Sequence, residues 1–228
     1  MTRDDGMRPL RYDITYMETP ALVARDLSCI RGKQTLFQNI NLQLDAGQWL
    51  YLQGENGAGK TSLLRILAGL TLPADGEVLW HGTPITQQRS QYYQDLLYIG
   101  HHAGLKEDLT LTENLQAQCR MDGLRINDTD IRDALTRMGL AKRQHLPARV
   151  LSAGQKRRGL LARALLRPAK LWILDEPFNA LDVNAIADVQ NLLQAHLAQG
   201  GMLVLTSHQT PDLGTDARGF VLNLSGSR

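Results

Sequence analysis

The feature that most constrains the fold of this chain is the segment of residues 54 to 61, which reads Gly-Glu-Asn-Gly-Ala-Gly-Lys-Thr. It matches the phosphate-binding loop pattern G-x-x-x-x-G-K-[ST] at every fixed position. An apolar, aromatic run of strand type (residues 49–53) precedes it, and a helical pattern (residues 61–68) follows it. The segment therefore predicts a strand–loop–helix unit in which backbone N–H groups and the positive end of the helix surround a polyphosphate.

Each part of this loop has a predicted role in nucleotide binding. The glycines permit the tight turn, the Lys60 ammonium is expected to reach the outer phosphates, and the Thr61 hydroxyl is expected to bind Mg²⁺. The predicted nucleotide contacts within the loop are Gly54, Glu55, Asn56, Gly57, Ala58, Gly59, Lys60 and Thr61.

The composition narrows the class of protein. With 228 residues, of which 43% are hydrophobic and 21% charged, the chain is long enough for one sizeable domain or two small lobes. A net charge of +2 gives no support for nucleic acid as a main ligand, so no nucleic-acid partner is predicted. Cys29 and Cys119 form no C-x-x-C pattern, which indicates neither a zinc site nor disulfides and fits a reduced, cytosolic setting. There is no run of 18 apolar residues, so no membrane span is expected.

The hydrophobic periodicity predicts an α/β fold. Residues 20 to 47 alternate apolar and polar side chains, as in an antiparallel meander, whereas the period from about residue 105 to 165 is helical. The predicted helices are residues 111–119, 130–138, 153–166 and 183–197, and the predicted strands after the loop are residues 76–82, 95–100, 170–174, 202–206 and 219–223. We expect a single domain over residues 20–225 with a helical subdomain at about 105–165. Residues 1–19 are expected to be a disordered tail, unless Met17 is the true start.

Two adjacent carboxylates follow a buried strand. Residues 171 to 174 are apolar, and Asp175 and Glu176 come directly after them. The carboxyl ends of strands in an α/β sheet are where ligands bind, and successive side chains there point in different directions. Asp175 is therefore a candidate to serve Mg²⁺, mainly through a water, and Glu176 is a candidate to polarise the water that attacks a phosphate.

Residues 151 to 155, Leu-Ser-Ala-Gly-Gln, have the spacing of a helix capping box, with Ser152 and Gln155 as its two partners. Together with the phosphate loop and the Asp-Glu strand end, this segment resembles the signature L-S-G-G-Q of the ATP-binding cassette (ABC) transporter ATPases, with Ala153 replacing the first glycine. The resemblance implies a phosphate-loop NTPase core of ABC type with an antiparallel β subdomain and an inserted helical subdomain. It also implies a homodimer in which Ser152, Ala153, Gly154 and Gln155 contact the γ-phosphate of ATP held by the other copy.

Further positions match the family one by one. Residues 180 to 182, Ala-Leu-Asp, match the loop that touches its counterpart across the dimer. His208, at the end of an apolar strand, matches the switch histidine and is expected to hydrogen-bond the γ-phosphate. The resemblance thus implies Lys60, Glu176 and His208 as catalytic residues, with ATP as the nucleotide and Mg²⁺ as its cofactor.

The chain departs from the family pattern at two places. Where most relatives carry a glutamine after the strand that ends near Gly100, this chain has two histidines. Counting back from residues 109–114 favours His101 for that role, whereas the shape of the following loop favours His102, which we place with Thr61 and Asp175 near Mg²⁺. Secondly, Arg31 stands where the family has an adenine-stacking aromatic; its guanidinium plane can stack on a base, or nucleotide binding is weaker.

Among cassette ATPases, residues 76–84, 98–106 and 171–178 are similar to the group that serves c-type cytochrome biogenesis. This similarity implies an ATP-hydrolysing subunit that couples hydrolysis to haem export or haem handling. Its implied partner is an integral-membrane permease subunit, haem is its indirect cargo, and its place is the cytoplasmic face of the bacterial inner membrane. An ATPase subunit for another small molecule would carry the same motifs and stays open as the alternative.

Overall fold

A computed structural model describes residues 21–101, 104–214 and 218–224 of the chain. The predicted tail, the alternative start at Met17 and the predicted Mg²⁺-site residue His102 lie outside the described residues. The strands are β1 (Leu22–Arg31), β2 (Gln34–Leu44), β3 (Gln48–Gly54), β4 (Asp75–Trp80), β5 (Thr83–Pro84), β6 (Leu96–Ile99), β7 (Leu171–Asp175), β8 (Met202–Thr206) and β9 (Arg218–Leu224). The helices are α1 (Lys60–Leu67), α2 (Arg89–Asp95), α3 (Leu111–Met121), α4 (Asp128–Arg137), α5 (Ala153–Leu161), α6 (Arg163–Leu166) and α7 (Val183–Ala198), with a 3₁₀ turn at Ala148–Val150.

The strands form two sheets. One is antiparallel, in the order β2-β1-β4-β5, and its β1–β2 pair is the meander that the sequence predicts. The other has the order β6-β7-β8-β3-β9, and each neighbouring pair in it is parallel. The α/β fold class predicted from the sequence is therefore confirmed.

The interior strand β7 of the parallel sheet is covered on both faces, which explains its continuous apolar run, whereas the edge strand β9 is largely exposed. All five residues of β7 are buried. Leu171 and Ile173 belong to the apolar cluster that contains α1 and the antiparallel sheet, whereas Trp172 and Leu174 belong to the cluster that contains α7 and the helical segment. Side chains alternate along β7, so each face of this strand packs against a different apolar cluster. Asp175 lies at the carboxyl end of this firmly packed strand.

The helices α3 to α6 lie between β6 and β7 in the chain, inside the range predicted to be helical. The predicted single helix over residues 153–166 is wrong in one respect, because the Leu165 N–H donates to the Ala162 carbonyl at 3.1 Å. This i→i+3 bond tightens the turn and divides the segment into α5 and α6. The predicted helix over residues 183–197 is present as α7, and its first residue, Val183, is 83% exposed. The boundary of a separate helical subdomain stays a prediction.

Candidate active site

The candidate site lies where four parallel strands end at one edge of the sheet. The phosphate loop begins at the end of β3, Asp175 is the last residue of β7 and Glu176 follows it, and His208 comes shortly after β8. Gly100 and His101 follow β6. A cleft of about 310 Å³ opens at this edge. Its described lining residues are Arg31, Leu36, Asn56, Gly57, Gly59, Lys60, Thr61, Ser62, His101, Asp175, Glu176 and His208. The topology therefore brings together groups that are more than a hundred residues apart in the chain.

The phosphate loop has the backbone that its glycines predict. Gly59, at the N-cap of α1, has φ of 97°, a left-handed conformation that glycine adopts without steric cost. A Cβ on Gly54 would lie 2.5 Å from the Leu224 carbonyl oxygen, so β9 packs directly against the start of the loop. No side chain caps α1. Its first N–H groups therefore lack the side-chain acceptor that most helices supply, as expected of an anion-binding terminus.

Lys60 is folded back over this loop. Its Nζ donates to the Gly54 carbonyl at 2.7 Å and to the Glu55 carbonyl at 3.1 Å. Both acceptors are backbone atoms of the loop itself, so the ammonium lies over the same concave surface that would hold the phosphates. A triphosphate can replace these two neutral carbonyl acceptors with negatively charged phosphate oxygens, which bind an ammonium more strongly.

Asp175 is held by two hydroxyl groups. The Thr61 hydroxyl donates to Oδ2 at 2.9 Å, and the Thr206 hydroxyl donates to Oδ1 at 2.7 Å. Mg²⁺ prefers oxygen ligands, keeps several waters and commonly takes only one or two protein oxygens together with substrate phosphates. The Thr61 hydroxyl and the Asp175 carboxylate, already in contact at the cleft, fit that requirement.

Glu176 adopts an unusual backbone conformation. Its φ is 54°, in the left-handed region that is costly for a residue with a Cβ. The Glu176 N–H donates to the Thr206 hydroxyl at 2.9 Å, and the residue is 8% exposed. The carboxylate accepts from the His208 N–H at 3.2 Å and lies 3.7 Å from the His208 ring Nε2. The bend at Glu176 thus directs a nearly buried carboxylate toward the exposed histidine of the next strand.

The two departures from the family pattern both lie at this cleft. Arg31 and His101 line it, and both also line a larger neighbouring cleft of about 790 Å³ beside α3. Arg31, at the end of β1, is exposed, as is His101. The choice between His101 and His102 stays open, since only His101 is among the described residues.

The segment 151–155 begins α5 as predicted. The Ser152 hydroxyl accepts from the Gln155 N–H at 3.2 Å, and the Gln155 side-chain oxygen accepts from the Ser152 N–H at 3.0 Å. A Cβ on Gly154 would lie 2.4 Å from the Ala180 carbonyl oxygen, so glycine here lets the loop after β7 pack against α5. Ser152 and Ala153 are exposed, and none of the described residues lining the phosphate-loop cleft comes from 151–155. Within one copy, this segment therefore does not complete the cleft.

Two side chains of the site are absent from the predicted set. Thr206 joins Asp175 to the Glu176 backbone, and Arg157 lies beneath both strand ends. Thr206 lies opposite Asp175 in the β7–β8 register, so correct strand pairing would have revealed it. Arg157 belongs to a Lys-Arg-Arg run, which is typical of a solvent-exposed helix face. The sequence therefore does not indicate that Arg157 is buried beside the site.

We expect Thr206→Val to slow ATP hydrolysis about tenfold, because valine keeps the shape but leaves the Asp175 oxygen and the Glu176 N–H without a partner. Losing buried partners also costs about 1–3 kcal/mol of unfolding free energy. Steady-state ATPase assays and urea unfolding measure the two effects. Thr206→Ser keeps the hydroxyl and should restore most of the rate. A valine variant with the wild-type rate would show that this hydroxyl does not organise the site.

The ABC transporter family matches residues 37–179. The cytochrome c biogenesis ATP-binding export protein CcmA of Methylococcus capsulatus is 51% identical over 209 residues, which cover 92% of this chain and 100% of that protein. These similarities extend over the phosphate loop, the segment 151–155 and both carboxylates.

Solved structures share the fold. An ABC transporter ATP-binding protein from Pyrococcus furiosus superposes with a TM-score of 0.76 at 25% identity, covering 89% of this chain and 96% of its own. A cassette solved as a dimer in a post-hydrolysis state, bound to ADP and Pi, gives a TM-score of 0.77 at 20% identity, with 91% and 97% of the two chains covered. The second likeness concerns the fold alone.

Proposed function

This chain belongs to the ABC transporter family, and from that premise we propose that it is the ATP-hydrolysing subunit of a membrane complex for c-type cytochrome biogenesis. The single observation that carries the catalytic part is the convergence of Lys60, Thr61, Asp175, Glu176 and His208 on one cleft. The observation that carries the pathway is 51% identity to a cytochrome c biogenesis export ATPase over nearly the whole chain.

We assign the residues as follows. The loop N–H groups and Lys60 bind the β- and γ-phosphates of ATP, and the Arg31 guanidinium, at the edge of the cleft, contacts the adenine. Thr61 and Asp175 hold Mg²⁺, which neutralises charge on the phosphates when it is bound. The short Thr61–Asp175 contact supports this pairing, because the two oxygens already converge without rearrangement of the strands.

Glu176 orients the water for hydrolysis. Its carboxylate accepts a hydrogen bond from the attacking water, whose oxygen bonds to the γ-phosphorus while the bond to the leaving ADP oxygen breaks. The products are ADP, phosphate and one proton. His208 contacts the carboxylate through its backbone N–H, and in the proposed complex its exposed ring donates to a γ-phosphate oxygen. Lys60 stabilises the charge that develops on the transferring group.

The complete site requires two copies of the chain. Ser152 and Ala153 are exposed at the start of α5, outside the cleft of their own copy. In the proposed dimer, this helix start of one copy faces the γ-phosphate held by the other, so that residues 152–155 close the site. Two ATP molecules then join two chains, and hydrolysis removes the bridging phosphate and opens the dimer.

The membrane partner is an integral-membrane permease subunit. Among the described residues, no helix combines the length and the apolar character needed to cross a bilayer. The 790 Å³ cleft beside α3 shares the lining residues Arg31, Thr61 and His101 with the active-site cleft, and Met121, 87% exposed, also lines it. We place the permease contact there, with the chain bound peripherally at the cytoplasmic face of the bacterial inner membrane and haem as the cargo handled by the complex.

The pathway is tested in the bacterium that encodes this chain. We expect deletion of its gene to remove covalently bound haem from c-type cytochromes, as seen by haem-dependent peroxidase staining of denaturing gels. The wild-type gene should restore the stain, whereas a Lys60→Ala gene should not, because transport chemistry needs hydrolysis. The b-type haem absorbance serves as the control and should stay unchanged. Normal c-type staining in the deletion strain would assign the ATPase to a different cargo.

A further inference from the structure

Arg157 is a buried, positively charged side chain of α5 that lies against two strand ends of the candidate active site. It lies in the middle of α5, four residues after the exposed start of that helix at Ala153, and is only 6% exposed. Its guanidinium donates hydrogen bonds to three backbone carbonyls. Nη2 donates to Asp175 at 2.5 Å, Nη1 to Gly100 at 2.9 Å and Nε to Pro177 at 3.4 Å.

These three carbonyls belong to the ends of two neighbouring strands. Gly100 follows β6 and directly precedes His101, while Asp175, the last residue of β7, and Pro177 flank Glu176. One planar group, whose donors diverge in a fixed geometry, therefore holds both strand ends against α5. Asp175 and Pro177 lie on either side of Glu176, whose φ is 54°. The hydrogen bonds from Arg157 to these two carbonyls therefore restrict the backbone conformation at Glu176.

A cation at this position is costly unless it has a specific role. Burial lowers the pKa of Arg157 to about 10, and the attraction of Asp175 and Glu176 opposes that effect. The group remains protonated at neutral pH. Replacing a buried charge by an apolar side chain of similar volume is often neutral or stabilising for a fold. An apolar side chain could therefore fill the same volume. Only a side chain with several diverging donors and a positive charge can bond to the three carbonyls and attract the two nearby carboxylates.

We propose that Arg157 is a positioning residue for hydrolysis, which ties the helix that begins at residues 152–155 to the strand ends that carry Glu176 and His101. The proposal rests on the proposed function above. In the dimer, the start of α5 contacts the γ-phosphate of ATP bound to the other copy, and Glu176 acts on the γ-phosphate of ATP bound to its own copy. The Arg157 bonds make α5 and the strand ends move together. Glu176 therefore takes its catalytic position only when α5 contacts the ATP of the other copy.

The test uses the purified full chain and compares three variants. Arg157→Met keeps the length of the side chain but removes the charge and every donor. We expect its kcat for ATP hydrolysis to fall by about 10- to 100-fold, the range for a misplaced catalytic group, while KM and the affinity for a fluorescent ATP analogue stay near the wild-type values. Arg157→Lys keeps the charge on a compact ammonium that cannot span three carbonyls, so its kcat should be intermediate.

Arg158→Met is the matched control. Arg158 is the next residue of the same helix, and its Nη1 donates to the Met138 carbonyl at 3.2 Å, within the helical segment. Removing this side chain should leave kcat within about twofold of the wild type, because its hydrogen bond lies within the helical segment and not at a strand end of the site. Melting temperatures of all three variants show whether each is folded.

Each outcome decides the proposal. A fall in kcat that is confined to the Arg157 variants supports it. Wild-type kcat in Arg157→Met, equal losses in Arg157→Met and Arg158→Met, a loss that appears in KM alone, or failure of both Arg157 variants to fold would each overturn it in favour of a structural role. Lys60→Ala is run in the same assay: if that variant also stays active, the proposed function fails instead.

Discussion

Glu176→Gln will reduce the steady-state rate of ATP hydrolysis by at least about 10²-fold, the usual contribution of a positioned general base. The amide has the same shape, so its oxygen can still accept the His208 N–H that Glu176 Oε2 now accepts at 3.2 Å. It has no negative charge with which to polarise water. The affinity for ATP should change by less than about threefold, because the carboxylate acts on the water and not on the bound phosphates.

The measurement is a coupled phosphate-release assay together with equilibrium binding of ATP. Glu77→Gln provides the matched control, because Glu77 is a half-exposed carboxylate of β4 that faces Arg25 at 3.7 Å, away from the cleft. It should hydrolyse ATP at the wild-type rate. If Glu176→Gln hydrolysed ATP as fast as Glu77→Gln, another group would have to be the base and the assignment of the site would be wrong.

Lys60→Ala will abolish hydrolysis to within the detection limit, a loss of about 10²- to 10³-fold, as for removal of one preorganised donor from a charged transition state. Unlike Glu176→Gln, it should also weaken ATP binding, because its ammonium contacts the phosphates in the ground state as well. The loop itself should persist: Lys60 donates to two carbonyls that are exposed to solvent, and water can replace those bonds.

Binding and turnover are measured in parallel, with Lys142→Ala as the control. Lys142 is an exposed lysine between α4 and α5, and it is not among the described residues that line the cleft. Its removal should change neither quantity. Retained ATPase activity in Lys60→Ala would exclude the phosphate loop from catalysis, whatever the other variants show.

The phosphate loop could be predicted from the sequence because its geometry is local. Eight contiguous residues set the turn, and the flanking strand and helix are continuous patterns of apolar side chains. The start of α5 was predictable for the same reason, since Ser152 and Gln155 bond within one helical turn. Parallel topology then determines which strand ends meet, so the grouping of Lys60, Asp175 and His208 also followed from the motifs.

The organisation around these residues could not be predicted, because it depends on contacts between distant segments. The Thr206 hydroxyl meets Asp175 across 31 positions, and Arg157 meets Gly100 across 57. A threonine at the end of a strand and an arginine in a basic helical run are ordinary in sequence. Only strand register and burial give them a role at the site.

If ATP joins two copies of this chain, sedimentation velocity of Glu176→Gln will show it. We expect a shift from the 25.4 kDa monomer to twice that mass when Mg·ATP is added. Adding Ala153→Glu, which places a carboxylate at the exposed helix start, should abolish the shift while ATP still binds. A monomer that is saturated with ATP, or a dimer that Ala153→Glu leaves intact, would show that ATP does not join two chains through the start of α5.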